Sequence, residues 1–175
     1  MRKFIKKTLI IFIIFFSFSL NSNANVPYFL DFKYILNESE AGKKAQTSLK
    51  NKLNKGIKNL QDKEKKIQDE EKKIIQQKKV ISAEEYKKKV TELRKKVNSL
   101  QKERSTLLDT VSKQRTKARN ELLKNLNPII KDYMKQNKIR MVVDKKSLLL
   151  ADENLDITKN IMSLLNNKIK SININ

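Results

Sequence analysis

From residue 41 to residue 137 apolar side chains return every seven positions, and that period leaves few folds open. In the first half Leu53, Leu60, Ile67, Ile74 and Ile81 stand seven apart, with Leu49 and Ile57 beside them. In the second half Val90, Val97, Arg104, Val111 and Ala118 take one heptad position, and Tyr86, Leu93, Leu100, Leu107, Gln114 and Glu121 take the other. Steps that alternate four and three lay a narrow apolar stripe along one side of a helix, the pattern of coiled coils. Toward the middle of the chain the companion positions become Glu64, Glu71 and Lys78, so the stripe thins. Gly56 sits inside this helix, where glycine is about 1 kcal/mol worse than alanine. Arg104 and Gln114 put polar groups into the seam, which fixes register at some loss of stability.

Between the halves stands Ser82-Ala83-Glu84-Glu85. Ser82 is a good helix cap, and Glu85 falls three residues on, as in a capping box. A new helix is expected there, so the middle zone reads as two antiparallel helices; the competing reading is a single bent helix of nearly a hundred residues. A helix of about 40 residues extends ~60 Å. The apex would then hold residues 72–89, KKIIQQKKVISAEEYKKK, with Lys72, Lys73, Lys78, Lys79, Lys87, Lys88 and Lys89 against two glutamates. No packed core accepts such a segment, because unpaired ammonium groups are almost never buried. At a projecting tip, water surrounds it.

The flanks differ. Residues 26–36 are apolar, aromatic and strand-like. Leu122, Leu123, Leu126, Ile129, Ile130, Tyr133 and Met134 form a wide apolar face on both sides of Pro128, so residues 118–134 are expected to pack on a sheet. Residues 138–144 alternate like a strand, and 147–151 (SLLLA) form a second short run. Thr158 is expected to cap a last helix with Ile161, Met162, Leu164, Leu165 and Ile169 on one face. The expectation is a mainly α chain with a small β body of about three strands. Residues 25–40 and 118–175 form the body, and 41–117 form a helical hairpin arm.

Three short strands and a one-sided seam bury little, while ordering costs about 1.5 kcal/mol per residue. Unpaired strand edges add to the difficulty. Association through the body solves both, so a homo-oligomer is predicted, with Tyr28, Phe29, Leu30, Ile139, Met141 and Val143 in the associating body.

Residues 1–24 read as a cleaved export signal. Arg2, Lys3, Lys6 and Lys7 precede an apolar run from Thr8 to Leu20, too short for a comfortable membrane span, and Ser22 and Ala24 suit cleavage after Ala24. The remainder carries 36 basic and 19 acidic residues, a net +17. An acidic partner explains that excess; A/T-rich codon usage, visible in the Lys, Asn and Ile content, explains it as well. Histidine and cysteine are absent, so zinc-site spacings and disulfides are excluded. Gly42 and Gly56 are the only glycines and cannot build a phosphate loop. Adjacent carboxylates such as Glu70-Glu71 and Glu84-Glu85 diverge on a helix. No enzyme, cofactor or metal is expected. The basic charge suggests nucleic acid, but the export signal and the lack of interleaved aromatics argue against it.

The stretch FLDFKYILNESEAGKKAQTSLKNKL resembles the opening of the Skp-type (OmpH-like) periplasmic chaperones, a strand followed by an Asp–x–x–x–Ile–Leu–x–x–Ser–x–x–Gly–Lys passage and the first arm helix. The tail, NLNPIIKDYMKQNKIRMVVDKKSLLLADENLDITKNIMSLLN, is similar to that family's close, with Asp156-Ile157-Thr158 opening a final helix. Pro27, Phe29 and Gly56 depart from the family's pattern. The resemblance implies a trimer in which a small β-rich body carries three helical arms around a cavity. It implies an ATP-independent periplasmic holdase for unfolded outer-membrane proteins, with lipopolysaccharide or anionic lipid as a further ligand in some members. On this reading the tip lysines make first contact with client or lipid headgroups. A structural envelope coiled coil or an anionic-lipid-binding spacer is the alternative.

Overall fold

The computed structural model describes residues 26–174. The expected signal segment lies outside them. Asp31 accepts a hydrogen bond from the Tyr34 N–H (2.7 Å) and opens α1, Phe32–Glu38. Ser39 ends α1 and, accepting from the Gly42 N–H (3.2 Å), opens α2, Glu40–Gln77. Ser82 accepts from the Glu85 N–H (3.1 Å) and opens α3, Ala83–Gln136. The middle zone is therefore an antiparallel hairpin with a short turn, not one bent rod. α3 runs through Pro128 without ending.

Two short strands join the ends of the chain. β1, Tyr28–Leu30, pairs in parallel with β2, Val142–Asp144, Tyr28 lying opposite Val142 and Leu30 opposite Asp144. On its other side Phe29 bridges Asp156, and its carbonyl accepts from the Ile157 N–H (2.9 Å). α4, Thr158–Lys168, closes the body. The core gathers Leu30, Ile35, Leu122, Leu126, Ile161 and Leu165, so the wide face around Pro128 packs on a strand and on both short helices. Full burial of each such side chain stabilises by roughly 1.5–3 kcal/mol.

The expected three strands become two among the described residues, for local reasons. Residues 26–36 give a strand of three residues and then a helix, because Asp31 caps one. Ile139 and Met141 lie outside β2. The Ile139 N–H bonds the Met134 carbonyl (2.9 Å) and the Lys138 N–H bonds Lys135 (3.4 Å), with Lys138 at φ 56°. That is a Schellman cap on α3, and it takes Lys138 and Ile139 out of the strand that alternation assigned to 138–144; the Met141 carbonyl still accepts from the Tyr28 N–H (3.0 Å). The SLLLA run is not a strand either. Asp144 and Asp152 accept from the N–H two residues on (3.1 and 2.9 Å) and turn the chain at each end.

Thr158 is the first residue of α4 and not its cap; Ile157 holds that position without a side-chain bond. The Thr158 hydroxyl donates to Asp156 and accepts from the Asp31 N–H (2.8 Å), tying the two ends of the body. Burial works to raise the Asp156 carboxyl. The hydrogen bonds from the Thr158 hydroxyl and N–H, with Lys145 at 3.3 Å, outweigh it and hold the group below the ordinary aspartate value.

Gly42 marks a close approach. A Cβ there would lie 2.1 Å from the Leu36 carbonyl oxygen, backbone that cannot yield. Gly42→Ala is expected to lose about 3 kcal/mol, the upper end of ordinary overpacking, read as a lower urea midpoint at constant m. The lowered Asp156 carboxyl makes its stability contribution complete above the ordinary pKa of 3.8 and lost as pH falls through the lower folded value. Asp156→Asn should therefore unfold at lower urea than wild type at pH 7, and the two midpoints should converge well below pH 4.

Candidate functional site

The arm is built from α2 and α3, and its seam is thin. Leu49, Leu60 and Ile74 are buried on one helix, and Leu100, Val111 and Ala118 on the other. Gly56 lets the helices close on Leu107, whose methyl would stand 2.5 Å from an added Cβ. The polar interruptions of the seam act differently from one another. Arg104 is exposed and pairs with Glu64 across the arm (3.4 Å). The Gln114 side-chain oxygen is buried with no hydrogen-bond partner among the described residues.

Two more ion pairs cross the arm, Lys63 to Glu103 (2.5 Å) and Lys96 to Glu70 (2.7 Å). All three are solvent-exposed, so each contributes between zero and about 1 kcal/mol. Their effect is on register, where the apolar stripe is weakest. Beside them the helices leave open grooves of about 680 and 360 Å³, floored by Leu60, Ile67, Leu100 and Leu107.

The tip lysines divide into two groups. Lys89 is half-buried, bonded to Gln77 (2.8 Å) and near Glu85 (3.6 Å), and the Lys78 ammonium sits 5.8 Å from the centre of the Tyr86 ring. Lys72, Lys73, Lys79, Lys87 and Lys88 are exposed, with no carboxylate within ion-pair distance among the described residues. Between them Ile75 is 60% and Val80 83% exposed. The tip is thus cationic and apolar together.

In the body Phe29, Leu30 and Ile139 are buried within the chain, and Tyr28 and Val143 are half-buried. Met141 is exposed, as are Leu149 and Leu150 in the SLLLA run. A groove of about 650 Å³ runs past Phe32, Leu123, Met134 and Met141, with Arg119 and Arg140 at its rim. The outer edge of β2 has no partner strand among the described residues.

Heptad reasoning placed Ile57 and Val97 in the seam; both lie outside it, about 40% exposed, and Leu108 and Ile75 are exposed with them. The adjacency of Leu107 and Leu108 was the available signal, since neighbours on a helix cannot both face one partner. Among the described residues no cluster of acidic side chains could hold a metal ion, and no helix is long and apolar enough to cross a membrane.

A family model for outer membrane proteins of the OmpH-like type matches residues 28–165. A crystal structure from Caulobacter crescentus, described as an OmpH-like outer membrane chaperone, superposes with a TM-score of 0.79 at 21% identity, over 85% of this chain and 89% of that one. No curated protein sequence matches.

Ser82→Ala removes the one side-chain acceptor that starts α3. The expected effect is about 1 kcal/mol of local stability, seen as faster hydrogen exchange at residues 83–86 with exchange in the body unchanged.

Proposed function

The chain belongs to the OmpH-like outer membrane protein family, and from that premise we propose that it is an exported, ATP-independent holdase chaperone. It works in the periplasm, binds unfolded outer-membrane β-barrel chains between its basic arms, and performs no catalysis. The observation that carries this reading is the tip: five exposed lysines, without an ion pair among the described residues, around exposed Ile75 and Val80, on an arm whose own seam is thin. Excess positive charge draws net-acidic unfolded chains from a distance and raises the encounter rate. Apolar spots then hold them by many brief contacts. The Caulobacter structure, described as a chaperone, supports the same reading.

Three copies are proposed to share one base. Met141, Leu149 and Leu150 stand exposed beside the unpaired edge of β2, surface that a lone protomer leaves in water. A second reading, contact with lipopolysaccharide or anionic lipid, is favoured by the same tip, since lysines around two exposed apolar side chains suit a charged membrane surface.

The test is dilution of a urea-denatured outer-membrane barrel into the protein without ATP. Aggregation should be suppressed, which a passive spacer would not do. Replacing Lys72, Lys73, Lys87 and Lys88 with glutamine should slow association several-fold at low salt and flatten its salt dependence. An unchanged rate and slope would reject attraction by the tip. Co-sedimentation with anionic vesicles, lost in the same variant, would instead support the lipid reading.

A further inference from the structure

The two helices of the arm meet the body in different ways. α3 runs without a break from the tip into the core, where Leu122, Leu126 and Ile129 are buried. α2 begins at Glu40, directly after the Ser39 cap, and sends Ala41 into the same core. Its foot is also held from outside, by α4 and the segment that follows. The Glu40 N–H is one of the first-turn donors that a helix leaves unpaired; it donates to the Asn166 side-chain oxygen on α4 (2.9 Å). The Glu40 carboxylate takes the Lys170 ammonium (2.8 Å). α4 ends at Lys168, and Ile169 is extended (φ −136°, ψ 137°), so the chain leaves the helix and Lys170 reaches the foot of α2. On either side of that lysine, Ile169 and Ile172 pack against the core. All four residues lie beyond residue 165, where the family match ends.

We infer that residues 169–174 are a strap that fixes the tilt of the arm on the body, with the Lys170–Glu40 pair and the Asn166 bond as its latch. Nothing in this device depends on what the arm grips. A two-legged arm makes the foot of α2 the sensitive point. Packed helices stand about 9 Å apart, so with α3 continuous into the core a tilt of about 10° in the plane of the pair slides α2 lengthwise by about 1.6 Å. Over a shaft of ~57 Å the same tilt moves the tip by about 10 Å. A slip that small already breaks hydrogen bonds of 2.8 and 2.9 Å, because little of such a bond survives beyond about 3.5 Å. The α1–α2 junction is stiff, since Gly42 lies against the Leu36 carbonyl, so α1 and the foot move as one piece. Ile35 and Ala41 seat that piece in the core, where it can still rock; the ties at Glu40 stop the rocking. The latch is weak by construction. Both side chains of the ion pair are about half exposed, so it contributes between zero and about 1 kcal/mol. It can therefore open without unfolding the body.

The chain has no cysteine, so two introduced ones take labels cleanly. Val80→Cys marks the tip, and Lys159→Cys, exposed on α4, marks the body. Labelled full-length copies are mixed with excess unlabelled protein, and single-molecule energy transfer reads the spread of the tip-to-body distance. Asn166→Ala with Lys170→Gln keeps Ile169 and Ile172 but removes the latch. Its spread should grow roughly 1.5-fold at low salt, as expected for a weak tie, with helical circular dichroism unchanged. A chain stopped after Lys168 should spread at least as widely. Lys168→Gln, the same charge change just before the strap, should keep the wild-type spread. A wild-type spread in the double variant would overturn the inference, whether or not the shortened chain folds. So would equal broadening by Lys168→Gln, which would make net charge the cause and not the latch.

Discussion

Both feet of the hairpin stand on one apolar core, and everything else in the molecule hangs from that arrangement. Leu30 and Ile35 come from the start of the chain, Leu122 and Leu126 from the lower end of α3, and Ile161 and Leu165 from the last helix. Closing a chain segment of roughly a hundred residues is entropically expensive, although the penalty grows only with the logarithm of length. The arm relieves it. Once α2 and α3 align, Ala41 at the start of α2 comes into one cluster with Leu122 and Leu126, and β1 and β2 need only pair across a short remaining gap. The parallel ladder, the Phe29 bridge and the Thr158 hydroxyl then tie ends that the sequence holds far apart.

The core also frees the arm from the duty of stability. A seam with a handful of buried side chains, a glycine and three exposed ion pairs would be marginal on its own. Anchored at its base, it can keep its sides for other work. Lysines and exposed aliphatic side chains can stand along a shaft of ~57 Å, estimated from the 38 residues of α2, without competing with a packed interior.

Much of this architecture was legible along the chain, and particular residues show why. The Ser82 cap and the heptad leucines are local or periodic signals, so the turn and both arm helices could be located from them. The wide face around Pro128 correctly pointed to a body contact. Other signals misled. Alternation from Lys138 to Asp144 suggested one strand, but the end of α3 needed Lys138 and Ile139 for its cap, so the strand starts only at Val142. Three consecutive leucines after Ser147 suggested a second strand, but Asp144 and Asp152 turn the chain before and after that stretch. Ile57 and Val97 have seam spacing, yet a two-helix seam has room for only one stripe per helix.

Sequence alone determined that this chain makes a long, lysine-tipped helical hairpin with a small mixed body, because helix period, capping and charge act over a few residues and can be read one turn at a time. Tertiary structure decided which apolar residues are buried and which face water, and where the strands begin and stop. Those outcomes depend on which helix faces which, and on hydrogen bonds between residues more than a hundred positions apart, such as Asp31 with Thr158. Periodicity assigns a residue to a stripe; only the partner helix decides whether that stripe is covered.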